Sequence, residues 1–370
     1  MRSDWAFGGA GVADDLAEDL GLVEEDTLAL LSKKGEHVER EGYDPHHGCP
    51  RQHRELDSRL VNLKLESSFY SLLDSIAIIV KATIDLVGWS ENITFKTPPF
   101  AGANELKFIA YGDMGKAPLD ASIEHFMQPG SVSVVKAMAD DVSSGLVDSI
   151  FHIGDISYAT GFLVEWDYFL SLISTLASRV PYMTSIGNHE RNYMDSASLY
   201  KTTDSGGECG VPYETYFPMP TPGKDRPWHR PMYTTNERYT GLHNVDHKFI
   251  DAVEPLLLQN KVDLALFGHV HNYERTCAIY QKMCLSMPTK EGNGIDTYDN
   301  TNYSAPVHAI IGMAGFTLDE FPTDRNYNWS LSRIAQFGYI RAHATRNELK
   351  VEFVNADTKE VGDSFRIIKN

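Results

Sequence analysis

From residue 105 onward the chain repeats one pattern: a short apolar run that stops at a glycine. Leu106–Ala110 leads into Tyr111-Gly112-Asp113, and Ser149–Ile153 into Gly154-Asp155. Tyr182–Ile186 leads into Gly187-Asn188, and Val262–Phe267 into Gly268-His269. Runs of this length, bounded by glycine, predict buried strands. Between them, apolar residues at helical spacing predict helices at Val132–Val142, Phe162–Ala177 and Phe249–Gln259, with Trp166 and Phe169 in the core. Strands alternating with helices imply a parallel layer with helices packed on its faces. Further strands are predicted at Val307–Ile311, Gly338–Ala342, Leu349–Phe353 and Ser364–Ile368, forming a largely antiparallel layer.

The first 86 residues do not share this pattern. Asp14-Asp15, Glu18-Asp19 and Glu24-Glu25-Asp26 make the start acidic, with little apolar periodicity. Short helices are expected near Ala13–Leu31 and Leu65–Leu86, and mobile chain elsewhere. Tyr70–Trp89 is the most apolar stretch, but Asp74, Lys81 and Asp85 interrupt it. It reads as a soluble amphipathic helix, not a membrane span. Asn92–Lys96 reads as a single strand, Pro98-Pro99 as a linker, and the Gly/Pro-rich Arg191–Trp228 as a stretch without strands.

Composition narrows the function. A formal charge of −18 over 370 residues argues against nucleic acid or an anionic membrane as the main partner. A small anionic substrate would need local positive charge such as metal ions. The first twenty residues lack a basic start followed by an apolar core, so no signal peptide is visible. Four cysteines are too few for a disulfide scaffold, although Cys277 and Cys284 could close a small loop in an oxidising compartment. Sequons at Asn92, Asn302 and Asn328 lean toward a secretory origin. His46, His47, Cys49 and His53 match no closed zinc spacing and read as a solvated loop.

The chemistry lies at the strand ends. Four strands stop at glycine followed at once by a side chain able to bind metal: Asp113, Asp155, Asn188 and His269, with His271 two residues further on. Glycine lets the backbone turn tightly there. Singly, each residue has an ordinary reading: Asp113 and Asp155 as caps, Asn188 in a turn, His269 and His271 as satisfied polar groups in a loop. The repetition changes that, because carboxylate and amide oxygens mixed with imidazoles suit a pair of first-row metals. His152, inside a strand, and His125 keep the ordinary reading.

The ordered series Gly112-Asp-Met-Gly115, Gly154-Asp-Ile-Ser-Tyr158, Gly187-Asn-His-Glu190, His229-Arg-Pro-Met-Tyr233 and Gly268-His-Val-His271 resembles the five motifs of purple acid phosphatases. These are calcineurin-like binuclear metallophosphoesterases, and the likeness is greatest to the large plant members. It runs from about Val87 to the C-terminus and includes Tyr273-Glu-Arg275. The resemblance implies an α/β (α+β) fold, a β-sandwich flanked by helices. It also implies that Asp113, Tyr158 and His271 bind Fe3+, and that Asn188, His229 and His269 bind a divalent ion (Zn2+, Mn2+ or Fe2+), with Asp155 bridging. Two such ions would activate a hydroxide and clamp phosphate oxygens for in-line attack. His189 would stand near the leaving group as general acid or phosphate ligand. The implied activity is hydrolysis of phosphate monoesters, with nucleotide phosphodiesters or pyrophosphates as the alternative substrates and a non-catalytic remnant as a further alternative. The implied location is extracellular.

The sequence departs from that family in two places. Members carry a strand-rich segment between the third and fourth motifs, which is missing here at about Trp228/His229. His229 instead follows Thr221-Pro-Gly-Lys-Asp-Arg-Pro-Trp228, whose two prolines disfavour a central strand. A loop would then place His229, and a neighbouring strand edge would be exposed. The family's amino-terminal β-sandwich is also nearly absent. The expected organisation is an unrecognised acidic segment over 1–86, a sandwich remnant and linker over 87–104, a catalytic domain over 105–303 and a C-terminal region over 304–370.

Overall fold

The structure is a computed structural model that describes residues 63–72, 75–84, 88–89, 91–116, 128–194, 202–219, 229–239, 242–290, 292, 294–324 and 327–369. The first elements are β1 (Leu63–Leu72), β2 (Ser75–Ile84), β3 (Gly88–Trp89) and β4 (Ile93–Lys96). β1 and β2 pair antiparallel along their whole length, from Leu63↔Ile84 to Leu72↔Ser75. β3 and β4 both pair with β2. This corrects the helix expected over Leu65–Leu86. Ile76, Ile78, Ile79, Val80, Thr83 and Ile84 are β-branched, and that stiffness favours a strand over a helix. The helix expected at Ala13–Leu31 and the His46–His53 group lie outside the described residues.

The remaining elements follow in chain order. They are β5 (Glu105–Tyr111), α1 (Ser131–Ser143), β6 (Ser149–His152), α2 (Leu163–Ala177), β7 (Tyr182–Thr184), α3 (Asn188–Arg191) and α4 (Val211–Tyr216). A short ribbon, β8 (Arg238–Tyr239) and β9 (Leu242–His243), leads to α5 (His247–Gln259) and β10 (Leu264–Phe267). Then come β11 (Tyr273–Tyr280), β12 (Met283–Ser286), β13 (Thr289–Lys290), β14 (Asp296–Asp299) and β15 (Val307–Ile311). The chain closes with β16 (Ser330–Ile334), β17 (Gly338–Thr345), β18 (Glu348–Asn355) and β19 (Val361–Ile368).

Two sheets result. The larger has the order β13-β14-β19-β18-β17-β5-β6-β7, with β5, β6 and β7 parallel and β17, β18 and β19 antiparallel. The smaller has the order β10-β15-β11-β12, with β16 also on β11. Strand alternation divides the core into layers. Phe108 and Ala110 of β5 face the interior between the sheets, together with Val307, Ile311, Ile340 and Val351. Ile109 and Tyr111 of the same strand face α1 and α2, meeting Met138, Trp166 and Phe169. On the far side of the smaller sheet, Ala265 and Phe267 of β10 meet Val253 of α5. The fold is the expected β-sandwich flanked by helices.

β11 was not predicted as a strand. It carries buried charge: Glu274 and Arg275 are each 1% exposed. Arg275 is satisfied by Asp363 at 2.7 Å and Asp296 at 2.8 Å, and Glu274 accepts from Ser330 and Thr235. Cys277 of β11 and Cys284 of β12 form a disulfide, as their spacing allowed.

Candidate metal centre

The strand-end glycines make room for side chains that arrive from the neighbouring turns. A Cβ on Gly268 would overlap the His229 ring and the Asp113 carboxylate, and one on Gly187 would overlap Asp155. The residues beside them take unusual backbone angles. Asp113 (φ 60°), Asp155 (φ 48°), Tyr158 (φ 52°) and His269 (φ 70°) all lie in the left-handed region, which is unfavourable for residues with a Cβ. Such strain gathers where a site needs a particular side-chain direction. Backbone bonds hold the turns together: Asp113 N–H donates to Gly154 O and Gly112 N–H to Ile311 O.

All seven expected metal ligands converge. The Tyr158 hydroxyl lies 3.2 Å from Asp113 Oδ1 and 3.2 Å from His271 Nε2. It also lies 3.5 Å from Asp155 Oδ2. His229 Nε2 lies 3.1 Å from both Asp155 Oδ2 and Asp113 Oδ1. Asn188 Oδ1 lies 2.8 Å from His269 Nδ1. One ligand atom each from Asp155, His229 and His269 fall within 4.8 Å of one another. Asp155 Oδ2 therefore stands between the Tyr158 side and the His229 side. His229 is on no strand, yet it is buried and fixed by its carbonyl, which accepts from Gly268 N–H at 3.1 Å. Among the described residues, β10, whose following Gly268 bonds to His229, is the end strand of its sheet.

Several supporting groups were not anticipated. His229 Nδ1 donates to the Ile153 carbonyl at 2.8 Å, Asn188 Nδ2 to Asp204 at 3.0 Å, and His271 Nδ1 meets the Thr317 hydroxyl at 2.7 Å. Each leaves the ligand's other polar atom facing the centre. Glu190 accepts from Ile156 N–H and Gly187 N–H, tying two of the turns together. Phe316 stacks on the Tyr158 ring at 3.7 Å, and His189 lies over the same ring at 4.3 Å. His189 Nδ1 has no hydrogen-bond partner among the described residues. Arg230 Nη1 lies 2.7 Å from His269 Nε2. Glu190 and Arg230 sit inside quoted motifs and could have been noticed. Thr317 and Asp319, which accepts from His271 N–H, have no signal in the sequence. His152 is apart from the centre, with Nδ1 against the Tyr182 hydroxyl, and burial pushes it down to about 3. His125 lies outside the described residues.

The electrostatics describe a cluster that wants positive charge. Burial pushes Asp155 up, but His229 and His189 outweigh it and hold the carboxyl below its usual range. Asp113 is held low in the same way, by His229 and His271 against burial. Burial also opposes charge on His229, yet Asp113 and Asp155 raise it well above its usual range. Burial, then Asp113 and Asp155, push the Tyr158 phenol well up, so a phenolate there needs a strong cation beside it. A phenol with carboxylates suits a trivalent ion, and amide with imidazoles suits a divalent one. The donor set fits the metal pair that the sequence pattern suggested.

Comparison with known proteins agrees with this geometry. The calcineurin-like phosphoesterase family matches residues 106–273, and the iron/zinc purple acid phosphatase-like protein C domain matches residues 305–364. A barley (Hordeum vulgare) protein named nucleotide pyrophosphatase/phosphodiesterase is 31% identical over 358 residues, 78% of this chain and 94% of that protein. The chain belongs to the purple acid phosphatase family of calcineurin-like phosphoesterases. Another relative is the Arabidopsis thaliana protein named "Probable inactive purple acid phosphatase 24". It is 34% identical over 335 residues, 76% of this chain and 53% of that protein. The chain thus spans about half the length of such relatives. Among solved structures, a purple acid phosphatase from yellow lupin (Lupinus luteus) seeds superposes with TM-score 0.66 at 30% identity, covering 80% of this chain and 60% of that one. The family's plant members dominate these matches.

Proposed function

We propose that this chain hydrolyses phosphate monoesters with a binuclear metal centre, as an acid phosphatase acting on small phosphorylated substrates. The observation that carries the reading is the convergence of Asp113, Asp155, Tyr158, Asn188, His229, His269 and His271 on one buried cluster. In this reading Asp113, Tyr158 and His271 hold Fe3+, and Asn188, His229 and His269 hold a divalent ion, with Asp155 shared. When bound, the two ions supply Lewis acidity toward phosphate oxygens and toward an attacking water. The chain's own residues do the rest. Asp155 Oδ1 accepts from His189 N–H at 2.9 Å, which fixes where the His189 ring begins. The His189 ring lies on Tyr158 with Nδ1 unpartnered, placed to donate to a phosphate or leaving-group oxygen. Nucleic acid and membranes are not partners in this reading. Among the described residues no helix is long and apolar enough to cross a membrane.

A second reading keeps the centre and changes the substrate to a nucleotide phosphodiester or pyrophosphate; the barley relative favours it. An inactive protein is the third, as the names of the Arabidopsis relatives say of them. Rates on p-nitrophenyl phosphate and bis-p-nitrophenyl phosphate separate the first two. Iron content and visible absorbance of the purified chain separate both from the third, for which a colourless, iron-free, inactive preparation is expected. Asp155→Asn is expected to lower kcat/KM by at least about a hundredfold and to reduce bound metal. An unchanged rate would refute its bridging role. Exposed Asn92, Asn302 and Asn328 suit glycosylation and an extracellular location.

A further inference from the structure

The groups behind the metal ligands are of two kinds. His229 has a carbonyl behind its outer nitrogen, His271 a hydroxyl, and Asn188 a carboxylate behind its amide nitrogen. All of these can accept a hydrogen bond, so the ligand can present a lone pair to an ion. His269 differs. Its Nδ1 faces Asn188 Oδ1 at 2.8 Å, and its Nε2 faces Arg230 Nη1 at 2.7 Å. A guanidinium has only donors and keeps its charge at every ordinary pH.

This leaves an ion two ways to use His269, and Arg230 opposes both. An ion on Nε2 would take the lone pair that Arg230 already uses. With an ion on Nδ1, the ring's proton belongs on Nε2, and that N–H would then point at another N–H. In either case the ion meets a guanidinium that is itself largely removed from water, on a residue only 8% exposed, where repulsion between cations is poorly screened. The position is fixed by the chain, because Arg230 directly follows His229 and both reach the same cluster.

We propose that Arg230 sets the affinity of the Asn188–His229–His269 group for a divalent ion, weakening it so that this ion is exchangeable while the Asp113–Tyr158–His271 group is not subject to the same opposition. The proposal rests on reading those three residues as a divalent-metal site. It assigns Arg230 a positioning and affinity role, not a catalytic one.

The test is direct binding of Mn2+ to the purified full chain, with free ion read by electron paramagnetic resonance. Arg230→Met and Arg230→Gln remove the charge, and glutamine can also accept from an Nε2 proton. Both are expected to bind Mn2+ at least about tenfold more tightly than the parent, and adding His269→Ala is expected to abolish the gain. Arg230→Lys keeps charge and donors and is expected to stay close to the parent. Glutamine preserves a polar, folded alternative should methionine disturb packing, and thermal midpoints without added ion check that. If the parent binds Mn2+ through His269 and neither neutral variant binds it more tightly, the role of Arg230 is refuted while the site stands. If no protein in the series shows His269-dependent binding, the site reading fails and the proposal with it.

Discussion

At the scale of single residues, the centre depends as much on what is absent as on its ligands. Gly268 has no positive φ to explain it, so its requirement is one of space: a Cβ there would meet His229 and Asp113 together. Both side chains are buried. With the proposed iron-bearing centre, Gly268→Ala is therefore expected to lose most bound iron and visible absorbance, with a stability loss of about 1–3 kcal/mol from overpacking. Gly145→Ala is the contrast. Its φ of +76° makes alanine strained, but a Cβ would meet nothing within 4 Å. It should lose about 1 kcal/mol of stability and keep its iron. Equal iron in the two variants would show that the close approach at Gly268 is not needed.

At the scale of elements, what was legible followed burial of one chemical kind. β5, β6, β7, β10 and β15 end or run where their apolar residues do, and α1, α2 and α5 follow helical spacing. Four of the five motifs were legible for the same reason, since each begins where a strand stops, whereas the His229 motif follows no strand and was legible only through the family resemblance. β11 was hidden because Glu274 and Arg275 look like surface charge; only Asp363, Asp296 and Ser330, distant in sequence, make them buriable. The β1–β2 hairpin was hidden because its apolar length suggested a helix, while pairing depends on residues facing one another across a turn. The β11–β12 hairpin also sits at a sheet edge, closed by Cys277–Cys284 at a separation of 7 residues. Loop-closure entropy for so short a loop predicts that replacing both cysteines by serine lowers stability by about 2–3 kcal/mol. Met283, Leu285 and Met287 are exposed on that edge, so loosening it is also expected to promote aggregation on heating. Thermal denaturation with light scattering reads both effects, and an unchanged midpoint would show the hairpin is held by pairing alone.

At the scale of the whole molecule, the net charge of −18 is joined to buried glutamates, Glu190 and Glu208, whose carboxyls burial pushes up. Glu208 is the clearest away from the ligands. Burial raises its carboxyl from 4.5 to about 7, against hydrogen bonds from Gly161 N–H and Trp166 and the nearby charge of Lys116. The folded value exceeds the unfolded one, so the folded chain holds more protons between them. That contribution is fully present below about 4.5 and is lost as pH rises through 7, on the order of 3 kcal/mol in all. Lys116 acts in a different window, because burial lowers it only to about 8. Glu208→Gln keeps an oxygen for Gly161 and Trp166, and Lys116 keeps its 2.9 Å pairing with Glu165. The variant should therefore match the parent near pH 4.5 and exceed it by several degrees in thermal midpoint at pH 8. Parallel midpoint curves for the two proteins across this range would mean that Glu208 is ionised in the fold throughout.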